Sequence, residues 1–182
     1  MKRILLLQLL FLCLAAPLPA EPSVEVAGHR YPGKIRAGEQ SWTLRGTHHF
    51  RYKHIFSVFT GALYTTDDPA GKRLTFTYTR TLNADDLRDQ AMNTLEANNP
   101  KETLAGYEAP LSELQRAYQN VKDGDSYTLT VITGRGIWLH LNETEVFFSD
   151  NSDFGYWYLD IWLGDPPISN SLKKALTQGL SS

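Results

Sequence analysis

Lys72-Arg73-Leu74-Thr75-Phe76-Thr77-Tyr78-Thr79-Arg80-Thr81 alternates almost without error: Leu74, Phe76 and Tyr78 point one way, Thr75, Thr77, Thr79 and Thr81 the other. A period of two is that of a β-strand with one face in a core and one polar face. Upstream, residues 49–64 are rich in β-branched and aromatic side chains. Even positions carry Phe50, Tyr52, Phe56, Val58 and Ala62, and odd positions carry Ile55, Phe59 and Leu63. Apolar residues on both parities predict a central strand covered on both faces. Asp67-Asp68-Pro69-Ala70-Gly71 is the turn between the two.

Downstream the period lengthens to that of a helix. Asn83 is placed to cap a helix over 84–98, with Leu87, Ala91, Thr94 and Leu95 as its inner stripe. A second helix is predicted over 110–122 from Leu111, Leu114, Tyr118 and Val121. Strands follow at 127–133, 137–141 and 145–148, joined by Gly134-Arg135-Gly136 and Asn142-Glu143-Thr144 as a meander. A third helix is predicted over 153–163, capped from Asp150-Asn151-Ser152-Asp153, and a fourth over 169–178. Residues 21–40 read as a leading arm with one short strand. Strands, helices, strands and helices in that order give an α+β fold with an antiparallel sheet.

The ends and the composition bound the function. Lys2 and Arg3, the apolar run from Ile4 to Leu14 and the break at Pro17-Leu18-Pro19-Ala20 have the three parts of a removable signal peptide over 1–20. The expectation is a periplasmic or secreted protein, one domain over 21–182, with no stable membrane insertion after cleavage. Removing Lys2 and Arg3 takes the formal net charge from −2 to −4. That balance offers nothing for nucleic acid and argues against an anionic membrane surface as partner. Cys13 is the one cysteine and lies in the apolar run, so stability must come from burial, for which 12% aromatics suffice.

The candidate chemistry is sparse. His48, His49 and His54 alternate on a strand, so two ligands rather than three share a face, and no metal site is expected. Gly134-Arg135-Gly136 precedes a strand rather than a helix and is a hairpin turn, not a phosphate loop. There is no Gly-x-Ser-x-Gly elbow. The third helix is apolar nearly all round, with Phe154, Trp157, Tyr158 and Ile161 on one face: either core or the lining of an apolar pocket. Arg51 is the most informative charge. It stands near the start of the strand covered on both faces, on the parity of Ile55 and Phe59, and needs either a protein carboxylate or an acidic ligand.

Three stretches resemble the chalcone isomerase-like family, in particular its small exported bacterial branch. The first runs from Leu44-Arg45-Gly46 to Tyr64 and holds Arg51, Val58-Phe59 and Ala62-Leu63-Tyr64. The second is Lys122-Asp123-Gly124-Asp125 before a strand. The third is Ile161-Trp162-Leu163-Gly164-Asp165-Pro166-Pro167, followed by Ser171-Leu172-Lys173-Lys174-Ala175-Leu176. The resemblance implies an open-faced β-sandwich, a large antiparallel sheet with helices packed on one face and a cleft between, and no cofactor. In the plant isomerases an Arg holds the developing oxyanion while Thr, Tyr and Asn arrange hydroxyls and water. Here the Arg falls on Arg51, the Thr near Phe59, and the Tyr and Asn near Asn83 and Gln90. Histidines replace glycine in the approach to Arg51. An oxyanion site reduced to its Arg has lost most of its positioning power.

Relatives in the same superfamily bind fatty acids with such an Arg, which needs fewer of the missing groups. The resemblance therefore implies a non-catalytic binding protein for a fatty acid or other small amphipathic acid, with Arg51, Phe59, Tyr64 and Trp157 as candidate ligand-binding residues. An isomerase or lyase with altered site chemistry and a scaffold with a filled cleft are the alternatives.

Overall fold

A computed structural model describes residues 22–53, 55–68 and 70–180; the signal segment read at 1–20 lies outside them. Strands β1 (Ser23–Val26) and β2 (His29–Pro32) form a small hairpin. Strands β3 (Lys34–Ala37), β4 (Gln40–Tyr52), β5 (Phe56–Asp67), β6 (Ala70–Tyr78), β7 (Ser126–Ile132), β8 (Gly136–Leu141) and β9 (Thr144–Ser149) lie side by side in chain order as a seven-stranded antiparallel sheet. Helices α1 (Ala84–Asn98), α2 (Lys101–Gly106) and α3 (Glu108–Ala117) come between β6 and β7. Helices α4 (Ser152–Leu163) and α5 (Asn170–Leu176) follow β9. No helix among the described residues is long and apolar enough to cross a membrane.

The architecture is the expected one, and the departures from the sequence reading are local. The run over 49–64 is a hairpin, not one strand: β4 ends at Tyr52, Lys53 takes a positive φ of 51°, and β5 starts at Phe56. A β-rich composition on both sides hides so short a turn. The central position holds for β5, which lies between β4 and β6. The leading arm contains three strands rather than one. The second helix stops at Ala117, Tyr118 is extended, and Val121 exchanges backbone hydrogen bonds with Leu82 in an isolated bridge. The apolar stripe Leu111, Leu114, Tyr118 and Val121 is buried all the same. Asn83 precedes α1 but its side chain does not cap it; Asn120 Oδ1 accepts from Ala84 N at 2.8 Å instead. The cap read before α4 is present, with Asn151 Oδ1 accepting from Phe154 N at 2.9 Å.

Alternation along the strands sends two sets of side chains to opposite faces. Leu63, Leu74, Phe76, Leu129, Val131, Ile137 and Leu139 pack against Leu95, Leu114, Phe154, Tyr158, Ile161 and Leu172 of the helices. Each such side chain, fully buried, contributes about 1.5–3 kcal/mol. Helix α4 comes close because Gly155 stands where it crosses: a Cβ there would be 2.8 Å from Ile137 Cβ and 2.9 Å from both Val131 methyls. Helix α5 closes on β4 at Gly46, where a Cβ would run into the carbonyl oxygens of Ala175 and Leu176.

The other face has its own smaller core of Tyr31, Trp42, Ala62, Tyr64 and Ile132, under the β1–β2 hairpin. Tyr31 Oη reaches Thr60 Oγ1 at 2.6 Å and Thr77 Oγ1 at 3.2 Å. The threonine face of β6 is therefore polar but not open. Thr77, Thr128 and Thr130 are buried.

Candidate functional site

On the helix side, cross-strand pairing puts Phe50, Phe59 and Tyr78 in one row. The Phe59 ring stacks on Phe50 at 4.9 Å and meets Phe76 edge-on at 4.8 Å. Phe76 continues the contact to Trp162 at 5.1 Å, and Trp162 to Tyr158 at 5.8 Å. The position at which the family resemblance expects a hydroxyl is thus filled by packed rings. Asn83 and Gln90 are exposed on or beside α1. Trp157 is half-buried, its Nε1 donates to Asn99 Oδ1 at 2.9 Å, and its ring lies 4.8 Å from Tyr107. It ties α4 to the α1–α2 junction.

Two phenols are buried beneath the helices, Tyr118 and Tyr158, with their oxygens 3.1 Å apart. Burial raises both far above the ordinary tyrosine range, so they remain neutral hydrogen-bonding groups and not bases. A groove of about 340 Å³ opens between α1, α2 and α3 over Met92, Leu104 and Leu111. Glu96 and Glu108 line the same groove, and their charge disfavours an acid there.

Arg51 does not face this side. The chain reverses between Arg51 and Phe59, so a shared parity in sequence does not mean a shared face. A register irregularity between Phe50 and Arg51 shifts the pairing further. Arg51 is exposed, and its Nε donates to His49 Nδ1 at 3.3 Å. With Nδ1 accepting, His49 carries its proton on Nε2 and donates it to Ser57 Oγ at 2.7 Å; Ser57 in turn lies 2.6 Å from Thr79 Oγ1. Burial, and then Arg51 and His29, hold the His49 imidazole below its ordinary pKa. His48 faces the helices, paired across from Gly61, so the two histidines point to opposite faces.

Tyr64 lies on the hairpin side, in the small core, and leads to a group that the sequence reading passed over. The ladder places Leu44, Tyr64, Arg73, Thr130, Trp138 and Phe148 in one row across five strand pairings. The adjacent row holds Ala62, Thr75, Thr128, His140 and Glu145. Arg73 is half-buried in the middle of this face. One Nη donates to Thr130 Oγ1 at 2.8 Å, while Nε is buried without a partner. Among the described residues no carboxylate lies within ion-pair distance of it. Two more buried nitrogens on this face have no partner, Trp42 Nε1 and His140 Nδ1.

Burial raises the Tyr64 phenol to about 12, and it lowers the neighbouring Arg73. His140 is held below its ordinary value by burial and then by Arg73. Thr75 and Thr128 share a hydrogen bond at 3.1 Å, and at the end of the row the rings of Trp138 and Phe148 lie 5.1 Å apart. Chemically this is a guanidinium fork with free donors, a bed of hydroxyls and an aromatic surface about 10 Å away across two strand spacings.

Of the four residues singled out from sequence, Phe59 and Trp157 are therefore on the helix side and Arg51 and Tyr64 on the other. Arg51 pairs across to Ser57 and Tyr64 lies seven residues further along β5, which separates them by about 20 Å at strand rise. The four do not form one site. Arg73 was legible as a charge on the threonine parity of β6. What the sequence concealed is that this parity is covered.

Comparison with known proteins agrees with this architecture. No curated protein matches the sequence. A solved structure of a fatty-acid binding protein from Arabidopsis thaliana superposes with a TM-score of 0.65 at 12% identity, over 86% of this chain and 96% of that one. At that identity the likeness is one of fold. The family model described as chalcone isomerase-like matches residues 23–177, all of the sheet and nearly all of the helical layer, and the chain belongs to the chalcone isomerase-like family.

Proposed function

We propose that this chain is an exported, non-catalytic binding protein for a small amphipathic acid, with Arg73 as the group that holds the carboxylate. One observation carries the reading: a half-buried guanidinium with no acidic partner among the described residues, set on a hydroxyl-lined face in the row that ends in Trp138 and Phe148. A charge in such a place is normally paired, and a ligand carboxylate supplies the partner that the protein lacks. The aromatic pair at the end of the row takes the apolar part. The packed rings around Phe59 support binding over catalysis, since they leave no hydroxyl where an oxyanion would need one. A structural neighbour that binds fatty acids supports an acid as the cargo.

The test is calorimetric titration of the purified protein with octanoate and with octanol as the uncharged control. Octanoate is expected to bind and octanol to bind far less well. Arg73→Gln is expected to lose about 1.5–3 kcal/mol of the interaction, or roughly ten- to hundredfold in affinity. Octanoate binding that survives Arg73→Gln and is lost in Arg51→Ala would move the site to the family's arginine position and overturn the assignment.

A further inference from the structure

The turn between β4 and β5 presents an unusual surface. Tyr52 is 55% exposed, Ile55 76% and Phe56 54%, three of the six large apolar side chains that stand out from the described surface. They fall within five residues, at the far end of the longest hairpin. Such residues scattered singly need no explanation, but a cluster at a projecting tip does. Arg51 and Lys53 are exposed beside them, and so is Arg80, which follows β6 at the same end of the sheet. The Lys53 ammonium lies 5.4 Å from the Tyr52 ring centre. From Gln40 to Thr66 the sequence contains no acidic residue.

Apolar tip, flanking cations and an aromatic with a polar end are together the composition of a segment that enters a bilayer interface without crossing it. We propose that the β4–β5 tip docks the protein onto an anionic phospholipid surface, with Ile55 and Phe56 entering the interface and Arg51, Lys53 and Arg80 at the headgroups. The net negative charge of the chain argued against this partner, but net charge is the wrong measure at short range. Screening confines the interaction to about 8–10 Å at ordinary ionic strength, so what counts is the local charge, and the stretch from Gln40 to Thr66 that forms the tip carries basic residues and no acidic one. A protein partner or a second copy would also cover apolar groups. The charge complementarity and the bareness of a two-strand tip favour a soft, anionic surface over a shaped pocket.

The experiment is flotation of the purified protein with vesicles of phosphatidylcholine alone or with about one third phosphatidylglycerol, at low and high salt. The expected result is flotation with the anionic vesicles, weakened by salt. Ile55→Ser with Phe56→Ser is expected to reduce the bound fraction by roughly tenfold or more, and Arg51→Gln with Lys53→Gln to weaken the salt dependence, Arg80 being left in place. All four positions are exposed, so both variants should melt with the wild type, which separates docking from folding. Absence of flotation, or flotation unchanged in the serine pair, overturns the proposal. So does a concentration-dependent dimer in sedimentation that the serine pair dissolves, since that result gives the tip to a second copy. Octanoate titration of the serine pair reads the Arg73 site separately.

Discussion

Tyr64 and Arg73 stand opposite one another on β5 and β6, and the phenol cannot serve as the counter-ion of the guanidinium. Burial raises Tyr64 to about 12, so it stays protonated wherever the protein is folded. The same burial lowers Arg73, yet an arginine keeps its charge under all ordinary conditions. The face thus holds one uncompensated positive charge among threonines. Such a charge is costly to the fold, and that cost is the signature by which a binding group differs from a structural one.

The first expectation follows from that cost. Arg73→Met keeps the length and apolar stem of the side chain and removes the charge and the unpartnered Nε. Replacement of buried ionic groups by apolar ones is often neutral or stabilising. The melting temperature is expected to stay level or to rise, by about 2–4 °C for each kcal/mol gained in a chain of this size. Octanoate binding is expected to weaken by roughly ten- to hundredfold in the same variant. A drop of several degrees would show that Arg73 is held by the fold, and would remove it from the site.

Much of this structure was legible in the chain. The ten residues from Lys72 alternate so regularly that β6 could be read with its inward set, Leu74, Phe76 and Tyr78, all three of which are buried. Helix α1 occupies the predicted 84–98, because its stripe and its boundaries agree. What the chain did not reveal was which way particular side chains face and what covers them. Periodicity cannot tell whether a polar face is solvated or roofed: the threonine parity of β6 reads as polar, and Tyr31 of the leading hairpin covers it at Thr77 and reaches Thr60 beside it. Nor can it tell one long strand from two joined by three residues, and Arg51 went to the wrong face for that reason. The family resemblance supplied the architecture and could not supply the orientation of a side chain at a turn.

A second expectation concerns the close approach of α4 to the sheet. Gly155 brings α4 onto β7 and β8, and neither Val131 nor Ile137 has room to retreat, since both are fully buried. Gly155→Ala inserts a methyl group at contacts of 2.8–2.9 Å. Overpacking of this kind costs about 1–3 kcal/mol. The gain in helix propensity, about 1 kcal/mol, works against it. A net fall in melting temperature is expected by thermal denaturation, with the far-ultraviolet circular dichroism unchanged. A more stable variant would mean that α4 can shift outward freely.

Stability should also depend on pH through the histidines. Burial is the main cause holding His48, His49 and His140 below the ordinary value of 6.5; His49 also lowers His48, and Arg73 also lowers His140. The unfolded chain therefore binds protons at a pH where the folded chain does not. Stability is complete above the unfolded pKa and is lost as the pH falls below it, until the folded values are reached. The melting temperature is expected to decline from about pH 7 towards pH 5, in the window set by the unfolded histidine range. His140→Gln should make that decline shallower. A melting temperature that rises on acidification over this window would contradict the burial of these rings.

The last expectation tests the roof over the polar face. Tyr31 is the one residue of the β1–β2 hairpin whose hydroxyl reaches across to the sheet, to Thr60 Oγ1 at 2.6 Å and Thr77 Oγ1 at 3.2 Å. All three residues are buried, so no water replaces the phenol when it is removed. Tyr31→Phe keeps the ring in the small core with Trp42 and Tyr64 and deletes only the oxygen. Leaving buried hydroxyls short of a partner costs about 1–3 kcal/mol. The loss acts first on the weakest attachment, because the hairpin pairs with no strand of the large sheet. Brief proteolysis is therefore expected to cleave the variant within residues 23–38 while the wild type resists, and amide exchange of Val24 and Tyr31 should accelerate more than that of Leu63 and Leu74. Thr77 retains Ser126 Oγ, which donates to Thr77 Oγ1 at 2.9 Å and limits the damage to the sheet itself. Exchange accelerated equally in the hairpin and in the central strands would show that the two cores unfold as one unit, and that the roof over Thr60 and Thr77 opens only with the whole protein.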